Sequence, residues 1–166
     1  LSDEQSTRLT KPLWVQQKEV GFGFSQVVGG NGQNAGPIFI ANGNRMKDKK
    51  TIQSTVKRYD SVTSKSPTWT FQVKSKLRGN QQTFSGSPPS SQSTPLLIDN
   101  YLIHLTFTGH LTCLEQATGK QVWQQDAVTQ FDGEPVQFGY SSSPIANPIQ
   151  PGQFLILLAG KAGGLL

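Results

Sequence analysis

Short apolar runs, each stopped by a pair of turn residues, recur along this chain, and the clearest set lies between residues 94 and 126. Leu96, Leu97 and Ile98 form a first run, halted by Asp99 and Asn100, which tolerate left-handed backbone angles. Residues 101–107 (YLIHLTF) are rich in β-formers and predict a second strand. Thr108 and Gly109 then predict a turn, and residues 110–115 a third strand. Residues 116–119 (QATG) predict another turn, with Gly119 supplying a positive φ. Residues 120–125 close the set as a fourth strand. Four short strands joined by tight turns form an antiparallel meander. No long helical period occurs elsewhere, so the expected class is all-β.

The pattern repeats. Trp14, Trp69 and Trp123 stand 55 and 54 residues apart, and Pro37, Pro95 and Pro144 follow them by 23, 26 and 21 residues. A period of this length marks an array of supersecondary units. In a weaker copy, residues 36–40 (GPIFI) stand where 94–98 (TPLLI) stand later, and Asn42 and Gly43 take the place of the Asp99 and Asn100 turn. Residues 58–65 align with 113–120, and residues 44–55 form a polar, basic insertion expected to lengthen one hairpin. The units are a tail at 1–20, a unit at 36–73, a unit at 94–126 and a shortened one at 143–166. Four-stranded antiparallel units in series are the blades of a β-propeller. About two and a half blades are present where closure takes about four to eight, so the chain is expected to be part of a longer ring. Its last residues, Leu165 and Leu166, fit that expectation, because repeat arrays end on polar caps.

Residues 113–123 read CLEQATGKQVW. This resembles the tryptophan-docking motif of the pyrroloquinoline-quinone (PQQ)-like repeat family, Ala-x-Asp-x-x-Thr-Gly-Lys-x-x-Trp. Thr118, Gly119, Lys120 and Trp123 match at the same spacing, while Cys113 replaces the alanine and Glu115 the aspartate. Asp60, Thr63 and Lys65 keep three positions in the weaker copy ahead of Trp69, and Ser64 departs from glycine. Tyr140, Ser141, Ser142, Ser143 and Pro144 resemble the family's Ser-Ser-Pro entry into a blade. The motif predicts structural roles: Thr118 and Glu115 bond turn amides, Gly119 takes the backbone angle, and Trp14, Trp69 and Trp123 each lay a large ring on a neighbouring blade. The resemblance implies two functions. One is a non-catalytic scaffold of the BamB type, which binds protein partners outside the cytoplasm, in the periplasm or an equivalent compartment, without a cofactor. The other is a quinoprotein dehydrogenase holding PQQ and calcium in blades beyond this stretch.

Composition changes this picture little. A net charge of +5 and a pI near 9.5 raise nucleic acid as a partner. The cations fall in separate places, at 47–50, at Lys57 and Arg58, and at 74–78, which predicts solvated edges rather than a polyanion stripe. One cysteine precludes an internal disulfide. No run approaches the roughly 18 apolar residues of a membrane span. Asp126, Asp132 and Glu134 precede a blade and are the acids to weigh for a metal or quinone, with solvated loop positions expected. His104, His110 and Cys113 raise a metal site. A two-residue turn at Thr108 and Gly109 would set His104 opposite Cys113 and send His104 and His110 to opposite faces, so packing is expected. Residues 30–35 (GNGQNA) imitate a dinucleotide-binding fingerprint, but Gly36 and Pro37 follow where that motif needs a helix.

Overall fold

The computed structural model of the chain describes residues 26–29, 36–61, 63–79, 81, 93–131, 133–134, 139–140, 142–147, 149–150 and 153–155. Trp14, the 1–20 tail, Asp132 and residues 156–166 lie outside that set. The described chain is mostly strand. A first four-stranded antiparallel sheet joins β1 (Gln26–Gly29), β2 (Ile38–Arg45), β3 (Thr51–Tyr59) and β4 (Trp69–Lys76) in chain order. A second joins β5 (Leu96–Ile98), β6 (Tyr101–Leu105), β7 (His110–Glu115) and β8 (Gln121–Asp126) in the same way. A single helical turn, α1 (Ala127–Gln130), follows β8, and a short pair, β9 (Ile145–Ala146) and β10 (Phe154–Leu155), comes after it.

The second sheet follows the turn chemistry of its sequence. Asp99 takes φ 50 between β5 and β6, and Gly119 takes φ 71 between β7 and β8. The β6–β7 hairpin differs from a two-residue turn. Its loop is residues 107–109, with the Thr106 N–H donating to the His110 carbonyl at 2.8 Å and the Gly109 N–H to the Thr106 carbonyl at 3.0 Å. Gly109 closes the loop at φ 88, as three-residue hairpins with a glycine bulge do. The extra residue moves the register by one, so His104 faces Thr112 and Cys113 faces Ile103. His104 and Cys113 are therefore on opposite faces of the sheet, whereas His104 and His110 share one.

The first sheet departs from the expected alignment. Asn42 and Gly43 make no turn: they lie inside β2, paired with Thr55 and Ser54. The chain reverses instead at residues 46–50, where Lys49 takes φ 59 and the Asp48 carboxylate accepts the Lys50 and Thr51 N–H groups at 3.0 and 2.9 Å. The polar insertion thus lengthens the β2–β3 hairpin, as its composition predicts. Residues 38–40 stand in the second strand of this sheet, and its first strand, β1, precedes the proline-led run.

The two sheets stack. Phe39, Ala41 and Val56 of the first form one core with Leu102 and Leu114 of the second, with Trp69, Phe71 and Leu97 packed against it. The far face of the second sheet carries Ile103, Leu105, Leu111 and Cys113 against Ala127, Val128 and Tyr140, with Trp123 alongside. The far face of the first carries Ile38, Ile40 and Tyr59. A strand buried on both faces explains why 38–43 form an unbroken buried run. Among the described residues no helix is long and apolar enough to cross a membrane.

Candidate functional site

The best-formed assembly of chemistry-bearing residues is the seam between the two sheets. At one end Trp69, the first residue of β4, reaches over the 116–119 turn of the second sheet. Its indole Nε1–H donates to the Gln116 carbonyl at 3.0 Å. Its ring covers Gly119 so closely that a Cβ there would lie 2.5 Å from Trp69 Cδ2. Phe39 braces the indole from its own sheet, with centroids 5.8 Å apart. Arg58, paired across the sheet with Trp69, donates from the same guanidinium nitrogen to the Gln116 and Ala117 carbonyls at 2.8 and 2.9 Å. Turn carbonyls that a hairpin leaves free thus receive donors from the neighbouring sheet.

The turn is built from its own motif residues. Glu115 N–H donates to the Lys120 carbonyl and Gly119 N–H to the Glu115 carbonyl, both at 2.9 Å. The Thr118 hydroxyl accepts the Lys120 N–H at 3.1 Å, as expected. The Glu115 carboxylate accepts from the Thr118 hydroxyl rather than from an amide. Gln116 ties the turn to the β5–β6 connection through the Asp99 and Tyr101 carbonyls, at 3.2 and 2.9 Å. The Lys120 side chain is exposed and Trp123 is half-buried on the far face. In the weaker copy, Asp60 pairs with Arg58 at 3.1 Å instead of with Thr63, whose hydroxyl is 2.9 Å from that of Ser61. Lys65 is exposed.

At the other end of the seam a polar network joins the sheets. Ser75 Oγ lies 2.6 Å from Thr108 Oγ1, and Thr108 Oγ1 3.1 Å from His110 Nδ1. Arg78 sits 3.4 Å from His110 Nε2 and donates to Asp126 Oδ2 at 2.7 Å. Asp126 also caps α1, accepting the Thr129 N–H at 3.3 Å and the Thr129 hydroxyl at 2.9 Å. Burial alone would raise its carboxyl, but these hydrogen bonds and the Arg78 charge outweigh it and hold it below the ordinary range. Asp126 and Arg78 are thus latch residues, not the solvated charges their sequence context predicts. Glu134 remains exposed, with its carbonyl accepting from the Tyr140 hydroxyl.

The network lacks the electrostatics of a nucleophile–base pair. Burial lowers the basicity of His110, and Arg78 beside it lowers it further, with only partial opposition from Asp126. A catalytic imidazole is oriented by an acceptor on its second nitrogen, and here a guanidinium, which can only donate, holds that place. Cys113 is buried and burial raises its thiol pKa, which leaves it a poor nucleophile. Among the described residues no three His, Cys, Asp or Glu side chains converge as a metal-ion site.

Between the two ends lies a third layer. Ser54 on β3 sits two residues from Val56, and His104 and Thr112 sit two from Leu102 and Leu114, so all three point into the seam. His104 is 1 % exposed, and burial alone pushes its pKa down to about 4, so it is neutral at pH 7. Sequence reasoning found the Trp69 and 116–119 elements but missed Arg58, Ser75, Arg78 and Thr108. A β-strand arginine carries no local mark of its partner on the next sheet. No protein-family model and no curated protein matches this sequence.

Proposed function

We propose that this chain is part of a PQQ-like repeat β-propeller acting as a non-catalytic, extracytoplasmic protein-binding scaffold. The observation that carries the reading is the Trp69 indole seated on the 116–119 turn of the next sheet. Tryptophan and the Thr-Gly turn are then used to hold one unit on another, as the motif resemblance implies, and not to stack a ligand. Repeated stacking of this kind makes a rigid frame whose loops and outer strands are free to meet a partner. The inert thiol of Cys113 and the guanidinium-facing His110 support a binding role over a catalytic one.

The test is a titration of the purified chain with PQQ and calcium, following tryptophan fluorescence beside a dye-linked alcohol or glucose oxidation assay. The scaffold predicts weak, unsaturable quenching and no turnover. A photo-crosslinker at exposed Val122, introduced in cells, should in parallel yield a defined protein adduct from the envelope fraction. Saturable quinone binding with turnover would replace the scaffold by a quinoprotein dehydrogenase.

A further inference from the structure

Four polar atoms in the middle of the seam have no hydrogen-bond partner although they are buried: Ser54 Oγ, both ring nitrogens of His104, and Thr112 Oγ1. Ser54 and His104 are each 1 % exposed, and Thr112 is 0 % exposed. His104 and Thr112 are direct cross-strand partners. Ser54 belongs to the facing surface, and the two ends of the seam fix its level. Trp69 meets Gln116 at one end and Ser75 meets Thr108 at the other. On β3 the residues paired with Trp69 and Ser75 are Arg58 and Ile52, so Ser54 lies between those levels, next beyond Val56. On the second sheet the residues between the same levels, next beyond Leu102 and Leu114, are His104 and Thr112.

From this geometry we propose that water is bound inside the seam, in a layer lined by Gly43, Ser54, His104 and Thr112, as a fixed part of the packing between the sheets. Gly43 and Val73 are the cross-strand partners of Ser54, and Gly43 brings no side chain to this level, where Ala41 stands one level away. The donor and acceptor balance suits water. Neutral His104 offers one N–H and one lone-pair nitrogen, and each hydroxyl can give or take a proton. Buried water makes about three hydrogen bonds to groups otherwise left unsatisfied. Among the described residues no Asp or Glu is buried, so none stands in the layer to hold a cation, and the ring that would face an anion is uncharged. A dry layer would instead leave four buried polar atoms unpaired on adjacent side chains, which native proteins rarely keep.

The experiment is water-edited NMR on the full chain at pH 7, with carbon-labelled histidine and threonine. Long-lived water should give direct cross-peaks to the His104 ring proton and the Thr112 methyl, distinct from exchange-relayed signals. Ser54→Ala and Thr112→Val should each weaken those peaks and lower the unfolding midpoint. The triple variant Ser54→Ala, His104→Leu, Thr112→Val, which removes every partner, should recover most of the midpoint. Absence of the water cross-peaks in the folded wild-type chain would overturn the proposal, and that spectrum decides even where a variant fails to fold. Single substitutions that raise the midpoint would also overturn it, because relief of a dry, unpaired group predicts that sign.

Discussion

At the scale of single residues, the seam concentrates its specificity in Trp69, Gly119 and His104. Trp69 loses ring packing and a hydrogen bond on truncation, so Trp69→Ala should cost about 3 kcal/mol, as large-to-small aromatic changes do. Exposed Gln72 on the same strand should change stability by about 0.5 kcal/mol or less on replacement by alanine. Gly119→Ala meets two obstacles, a φ of 71 and an indole 2.5 Å from the new carbon. The backbone angle alone costs a side-chained residue about 1–2 kcal/mol. Equal midpoints for Trp69→Ala and Gln72→Ala in denaturant titrations would refute the docked geometry. His104 adds a pH dependence. Its folded pKa, about 4, lies below the ordinary 6.5, so the unfolded chain binds the proton more readily. Stability should therefore be unpenalised above about pH 6.5 and fall as pH drops toward 4. The loss is at most about 3 kcal/mol for this group. His110, lowered by burial and by Arg78, acts in the same direction. Asp126, with its carboxyl lowered, loses its contribution only at more acid pH. His104→Leu should flatten the slope between pH 4.5 and 6.5; an unchanged slope in urea titrations would show that His104 is not its source.

At the scale of elements, the latch between β4 and β8 is separable from the docked turn. Arg78 and Asp126 are joined at 2.7 Å but remain partly exposed, 23 % and 35 % by side chain. Solvent screening limits such a pair, so a double-mutant cycle with Arg78→Met and Asp126→Asn should give a coupling of about 1 kcal/mol. That coupling should shrink in roughly 1 M salt, and a cycle that closes to zero would leave Asp126 only its role as cap of α1. The latch also marks where the sequence stops being informative. Strand bounds in the second sheet were legible because Asp99 and Gly119 announce turns by their backbone demands. Asn42 and Gly43 carry the same signal, yet they sit within β2, because pairing over eight residues with β3 outweighs a local turn preference. The sequence predicts a two-residue turn where the structure has a three-residue loop at 107–109, because Gly109 serves either geometry. That single residue exchanged the facing partners of His104 and Cys113. Arg58 and Arg78 lay in basic stretches that look solvated, and their acceptors belong to the other sheet. Pairing between sheets leaves no trace in local periodicity, so the seam could be anticipated at its tryptophan and not at its arginines.

At the scale of the whole molecule, the two sheets bury a common core and share hydrogen bonds at both ends of it, so neither should hold its structure alone. A stacked array draws stability from each unit and from each interface. The interface here contains Phe39, Val56, Leu102 and Leu114, all fully buried, and it is continuous with the Trp69 dock. Loosening that dock should therefore be felt in the second sheet as well as the first. Native-state hydrogen exchange reads this directly, because amides that open only with the cooperative unit share one free energy. Trp69→Ala should lower protection by similar factors at Val56 in β3 and at Leu114 in β7, although only β4 carries the change. Amides on the far side of the second sheet, such as Leu105, should follow them, since β6 is paired to β7 over five positions. If the substitution lowered protection in the first sheet and left Leu105 and Leu114 untouched, the sheets would be independent folding units. The seam would then be a contact between finished structures rather than the part of the fold that completes them.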